Sequence, residues 1–453
     1  MSGPLSALRG PMISFTGDPR IEGPSALKHD TDGLLVMRDG RVLARGHAPR
    51  LLGQWSSRVT PVHHPHGLIV PGFIDTHLHM PQLGVMGAYG RQLLDWLTKY
   101  TFPNEARFAD PAVCATEAAV FIESLLAHGV TTGSAFCTIH PKSVEALFSA
   151  AEAHNMRMVA GKVMMDRNAP DTLRDTAQSS YDDSLALLNK WHGRGRARYS
   201  VTPRFAPTST EAQLEAAQAL VAAAPGVHVQ SHVSESPDEV AWVRRLFPQD
   251  DDYMGVYARF GLVGRRAIHA HGIHLTDREW DLLRESDTAL AHCPTSNLFL
   301  GSGLFDLRRS AETGVRVGLA SDIGGGTSLS PLRTMGEAYK VAQLRGHSVS
   351  AAELWWLHTV GAAHALDMHT EVGALKVGQE ADAVVLDWST VPLFSHRLAR
   401  ARDIHELLFF LAACGDERVV SETWVAGARV YQRQDPAVQT SSGGSSARTP
   451  TRR

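Results

Sequence analysis

Apolar and polar positions alternate in short runs near both ends of the chain, and between them apolar runs are spaced by longer amphipathic stretches. From about residue 12 to residue 70 the pattern is strands and turns. Residues 34–37 and 42–44 flank Asp39-Gly40, a pair that tolerates positive φ at both turn positions, and together they predict a hairpin. From about residue 69 to residue 366, eight runs have strand character: 68–76, 129–136, 157–165, 198–204, 226–231, 267–270, 288–292 and 315–320. Several are apolar throughout, as strands covered on both faces are. After Gly373 the strand pattern returns at 383–386, 419–425 and 428–431, and residues 435–453, rich in Ser, Gly, Thr and Arg, are expected to be disordered.

Eight strands, each followed by room for a helix, predict an α/β protein with a (β/α)8 TIM barrel over residues 71–370. The β-rich segments 1–70 and 371–434 are expected to pair into one small β-sandwich-like domain. Helix-start signals support the alternation. Thr208 with Glu211, Ser236 with Glu239 and Thr276 with Glu279 each fit a capping box, and Pro237 occupies a first helical position. Glu235 therefore falls in a short loop between a strand end and a helix start.

Composition narrows the class without naming it. Hydrophobic residues at 43% and charged residues at 20% are ordinary for a globular chain, and the net charge of −3 with no basic block of useful length gives no sign of a nucleic-acid partner. No apolar run reaches the roughly 18 residues of a membrane span, and residues 1–10 lack the apolar core of a secretory signal. The four cysteines, Cys114, Cys137, Cys293 and Cys414, are scattered without a CxxC pair. That usage fits a reducing cytoplasm. With 23 histidines in the chain, a histidine carries weight only where its neighbours place it.

In such a barrel the chemistry sits at the carboxyl ends of the strands. The first strand ends in Asp75-Thr76-His77-Leu78-His79, where two histidines at i, i+2 point to one side. The fifth ends in Gln230-Ser231-His232, the sixth in His269-Ala270-His271-Gly272, and the eighth in Leu319-Ala320-Ser321-Asp322. One strand-end histidine is usually a core residue, but four strands presenting His, His, His and Asp at one rim predict a divalent-metal site with a position open for water. His77, His79, His232 and Asp322 are the expected ligands, with His271 either a further ligand or a hydrogen-bond partner of the water. Glu235, three residues after His232, is the expected general acid/base. His269 is expected in the core, and His63, His64 and His66 in a solvated loop.

These residues resemble the amidohydrolase superfamily, whose first-strand signature is similar to Pro71-Gly72-Phe73-Ile74-Asp75-Thr76-His77-Leu78-His79. Within it the chain resembles guanine deaminases from about residue 10 to residue 432, most specifically at 93–103, 201–205, 230–235, 291–298 and 321–326. The resemblance implies a metal-dependent aminohydrolase releasing ammonia from C2 of guanine, using one zinc ion per subunit (or iron or another divalent ion) and working as a cytoplasmic homodimer. It also carries over Gln82 and Arg204 as base readers, with Phe205 beside them stacking on the purine or filling the core. Guanine offers an acceptor, O6, where adenine offers an amine, so a donor such as Arg204 can tell them apart. The stretch 93–103 reads as an amphipathic helix over the barrel mouth. Strand four ends in Arg204, not in the lysine that bridges two metals in some superfamily members, and Lys162 lies inside the third strand, so one metal is expected. The competing expectations are hydrolysis of another ring (8-oxoguanine, a pterin or an s-triazine) and a non-catalytic scaffold built on the same barrel.

Overall fold

The structure is a computed structural model and describes residues 3–90 and 92–434; the expectation of a disordered tail at 435–453 lies outside the described residues. Eight parallel strands run in chain order around a barrel: Phe73–His79, Val130–Phe136, Arg157–Gly161, Ala197–Pro203, His228–Val233, Ala267–His271, Ala289–His292 and Val317–Leu319. Helices connect them, as the long amphipathic spacers predict. The barrel closes through hydrogen bonds between the first strand and the segment after the eighth. Asp322 donates its N–H to His77 O at 3.0 Å, His79 donates to Ile323 O at 2.9 Å, and the Thr76 hydroxyl donates to Leu319 O at 3.0 Å.

The termini build a separate sheet in the order Ala428–Gln432, Val420–Val425, Ala383–Leu386, Leu68–Pro71, Ser6–Phe15, Leu27–Arg38 and Arg41–His47. The hairpin forms where the turn pair placed it, with Asp39 at φ 52° and Gly40 at φ 77°. Apolar residues from across this sheet, among them Leu8, Met12, Leu35, Ile69, Val385 and Trp424, make a core cluster of their own. A buried ion cluster ties this sheet to the barrel: Arg157 donates to Glu380 at 2.9 Å, and Arg196 donates to Glu380 at 2.8 Å and to Asp382 at 3.1 Å.

Three expectations are corrected. The run 68–76 is two strands in two sheets. Leu68–Pro71 pairs antiparallel with Ala383–Leu386, and Phe73–His79 begins the barrel. The break falls at Gly72, where a Cβ would collide with the Thr131 side chain and where the N–H leaves the barrel to reach Asp382 O at 2.9 Å. Thr208 does not cap the following helix. It sits in a short 3-10 turn with its hydroxyl on Phe205 O at 3.1 Å, and Thr210 caps Glu211–Ala223 by accepting from Gln213 N. Lys162 falls between Arg157–Gly161 and Val163–Met164, buried and ion-paired with Asp175. The other two capping boxes, Ser236/Glu239 and Thr276/Glu279, form as read.

Candidate active site

Strand alternation puts His77 and His79 on one face, with ring centroids 4.8 Å apart, and the buried Asp75 behind them accepts from both His77 N at 3.2 Å and Ser321 N at 3.1 Å. The Asp75 carboxylate thus joins the end of strand one to the end of strand eight. Burial pushes its pKa up to about 7. His271 at φ 75° and Asp322 at φ 51° are held in left-handed conformations at their strand ends, as is Ser234 at φ 48° beside Glu235. Such conformations cost on the order of 1–3 kcal/mol each and persist where surrounding contacts over-determine them. Here they fall at the ends of the fifth, sixth and eighth strands, beside the side chains of the rim.

Four side chains meet at the rim. His79 Nε2 lies 3.1 Å from both His77 Nε2 and His232 Nε2, and Asp322 Oδ1 lies 3.2 Å from His77 Nε2 and 3.3 Å from His79 Nε2. Donors about 2.0–2.2 Å from one tetrahedral ion stand about 3.3–3.6 Å from each other, so the set fits a single divalent metal. The electrostatics agree. Burial lowers the pKa of His77, takes His79 down to about 3 and holds His232 well below its ordinary value, leaving neutral imidazoles able to ligate. Burial alone would raise Asp322, but His77 and His79 outweigh it and keep the carboxylate ionised. His232 is oriented from behind by its Nδ1 on Arg204 O at 2.6 Å.

His271 stands outside this tight group. Its Nε2 is 3.4 Å from Glu235 Oε2 and 3.8 Å from Asp322 Oδ2, while its Nδ1 bonds Asn297 Oδ1 at 2.9 Å. Glu235, 3% exposed, accepts from the Ser302 hydroxyl at 3.0 Å. Burial, with the charge of Asp322 adding to it, pushes the Glu235 carboxyl up to about 8.

One cavity unites these groups: His79, His232, Glu235, His271 and Asp322 line it together with Gln82, Arg204 and Phe205. Leu93, Trp96, Leu97 and Leu300 supply apolar walls. The stretch read as one helix over the mouth is a helical run interrupted by a π turn, Leu93–Trp96, Leu97–Thr101 and Phe102–Ala106, so Leu93 and Leu97 face the cavity while Tyr100 packs in the adjoining cluster. Arg204 donates to Glu105 Oε2 at 2.7 Å, and Gln82 Nε2 donates to Glu105 Oε1 at 3.0 Å. Phe205 is 5% exposed, with its ring edge-on to Trp242 at 6.2 Å.

Of the residues singled out for the site, all but His77 line one cavity, and His77 packs against His79 at its edge. Of the remaining histidines, His269 is stacked on Tyr257 and bonded to Leu262 O in the core. His63 and His66 are exposed, and His64 is partly buried 3.5 Å from Glu422. Sequence reasoning missed Glu105, Asn297 and Ser302, which touch the named residues from behind. Asn297 lies in a segment already marked by the resemblance; Glu105, a charge set among Phe102, Pro103 and Phe108, carries a faint signal of burial.

A parallel barrel with His, His, His and Asp gathered at its carboxyl rim is a fold carrying a candidate divalent-metal centre. The amidohydrolase family model matches residues 68–430, and the chain belongs to that family. The guanine deaminase of Escherichia coli (strain K12) is 46% identical over 431 residues, covering 95% of this chain and 98% of that one. The solved E. coli guanine deaminase superposes with a TM-score of 0.93 at 45% identity, over 95% of this chain and 100% of that one. Guanine deaminase from C. acetobutylicum, solved with guanine bound in its active site, gives a TM-score of 0.86 at 27% identity over 94% and 100% of the two chains. Among the described residues no helix is long and apolar enough to cross a membrane.

Proposed function

We propose that this chain hydrolyses guanine at C2 to xanthine and ammonia, with one divalent ion per subunit. The observation that carries the reading is that Arg204 and Gln82 line the same cavity as Glu235, His271 and the rim of metal-binding side chains. The solved relative with guanine in its active site supports the choice of base. His77, His79, His232 and Asp322 would hold the ion, and three imidazoles with a carboxylate suit zinc, with iron or another divalent ion as alternatives. When bound, such an ion supplies the acidification of water that hydrolysis at neutral pH requires.

The protein's own groups do the rest. Arg204 donates to O6 of the base, and Gln82 meets the adjoining polar edge. Phe205 and the apolar wall of Leu93, Trp96 and Leu97 enclose the ring and exclude bulk water. His271, its Nδ1 tied to Asn297, presents Nε2 between Glu235 and Asp322 and holds the attacking water by a hydrogen bond. Glu235 takes a proton from that water as the C2–O bond forms and gives it to the ring nitrogen beside C2. It then takes the remaining proton of the new C2 hydroxyl and passes it to the amine as the C2–N bond breaks, releasing ammonia and leaving the 2-oxo ring. A carboxyl lifted to about 8 by burial can hold that proton near neutrality. The reading includes a homodimer, which sedimentation of the purified chain checks.

Glu235→Gln tests the central role. It should lower kcat by about 100-fold or more while bound metal is retained; a near-normal kcat with metal in place would contradict the assignment.

A further inference from the structure

Glu105 is 0% exposed and stands behind the cavity wall, on the short helix Phe102–Ala106 that ends the cover of the barrel mouth. Its two oxygens receive side chains from two other segments. Arg204, just past the fourth strand, places Nη1 on Oε2 at 2.7 Å and on Oε1 at 3.0 Å. Gln82, in the turn after the first strand, places Nε2 on Oε1 at 3.0 Å. The Phe102 ring of the same short helix lies 5.4 Å beneath the Arg204 guanidinium. Gln82 and Arg204 line the cavity, and both are nearly fully buried, at 2% and 3% exposed.

As a source of stability this pair is poor, because desolvating two charges offsets most of their attraction. Its geometric effect is specific. A carboxylate only accepts, so Gln82 must turn its NH2 toward Glu105, which fixes the amide flip and leaves the amide oxygen and the second N–H for a ligand. By engaging Nη1 of Arg204 the same carboxylate leaves Nη2 and Nε as the donors free to meet a ligand.

We infer that Glu105 is a positioning residue that sets the orientation of both base readers, so that the cavity recognises the 6-oxo group of a 2-aminopurine ring. The inference rests on the guanine reading above and deepens it. Glu105 does not line the cavity and bonds none of the metal-binding side chains, so it acts on recognition through Arg204 and Gln82. It also ties the short helix Phe102–Ala106 to the two readers.

The test compares guanine with 2-aminopurine, which keeps the reacting C2 amine and lacks O6. Ammonia release from each is measured with the wild-type chain, Glu105→Gln, Glu105→Asp and Arg204→Ala, with metal content and Tm recorded for all. The wild type should favour guanine, and Glu105→Gln should shrink that preference by about 10-fold or more, mostly through KM for guanine. The 2-aminopurine rate should change less than the guanine rate, and Glu105→Gln introduced into Arg204→Ala should lower the preference by less than it does alone. Equal losses on both substrates, or no loss on either, would overturn the positioning role. If Glu105→Gln fails to fold, Glu105→Asp, which keeps the charge and shortens its reach, carries the same comparison. A wild-type chain inactive on guanine would instead overturn the guanine reading itself, a result distinct from any of these.

Discussion

Ser302 and Glu235, 67 residues apart in the chain, meet at the cavity, where the Ser302 hydroxyl donates to Glu235 Oε1 at 3.0 Å. This leaves Oε2 of Glu235 facing His271 at 3.4 Å. The bond favours the ionised carboxylate against the burial and the Asp322 charge that raise its pKa. Ser302→Ala should therefore raise the Glu235 pKa further and move the acid limb of the kcat/KM profile to higher pH, since the free enzyme needs Glu235 ionised to accept a proton. A pH profile unchanged in the variant would show that the bond does not tune the carboxyl.

Asn297 holds His271 by its Nδ1 at 2.9 Å and so selects the tautomer and ring angle that point Nε2 at Glu235 and Asp322. Asn297→Ala should lower kcat by about 10- to 100-fold with a smaller effect on KM for guanine. Steady-state kinetics check this, and an unchanged kcat would show that Asn297 does not orient His271 for turnover.

The ion cluster between the terminal sheet and the barrel should show in stability, not in turnover. Burial would raise the Glu380 carboxyl, but Arg157 and Arg196 outweigh it and hold its pKa below the ordinary value. A depressed folded-state pKa means the contribution is fully present above the unfolded value of about 4.3 and is lost as pH falls through the folded value. Glu380→Ala should cost up to roughly 3 kcal/mol near neutral pH by removing the carboxylate that Arg157 and Arg196 share, although Arg157 keeps Glu371 and Arg196 keeps Asp382. The difference from wild type should narrow on acidification, as read by denaturant titration at several pH values. A gap that widens toward low pH would reverse the sign and refute the account.

The barrel and its rim were legible because each rests on a local pattern. His77 and His79 are two residues apart on a strand, His232 and His271 end apolar runs, and the Ser236/Glu239 box marks the loop that carries Glu235. What was not legible depends on tertiary approach. Glu105 reaches Arg204 across 99 residues of chain, and Asn297 reaches His271 across 26, with no periodicity linking either pair. The run 68–76 misled because it is apolar on both sides of Gly72, and hydropathy alone does not show a strand changing sheets. Thr208 misled because Thr208, Ser209 and Thr210 stand in a row, and the choice among them is made by Phe205 O, which takes the Thr208 hydroxyl.

The most direct test of the account is ammonia release by the purified, metal-replete chain given guanine, adenine, cytosine and 8-oxoguanine in separate reactions, beside His79→Ala. The account predicts xanthine and ammonia from guanine, no release from adenine or cytosine, and loss of both activity and bound metal in His79→Ala. Ammonia from another ring but not from guanine, or none from any base with metal bound, would contradict it.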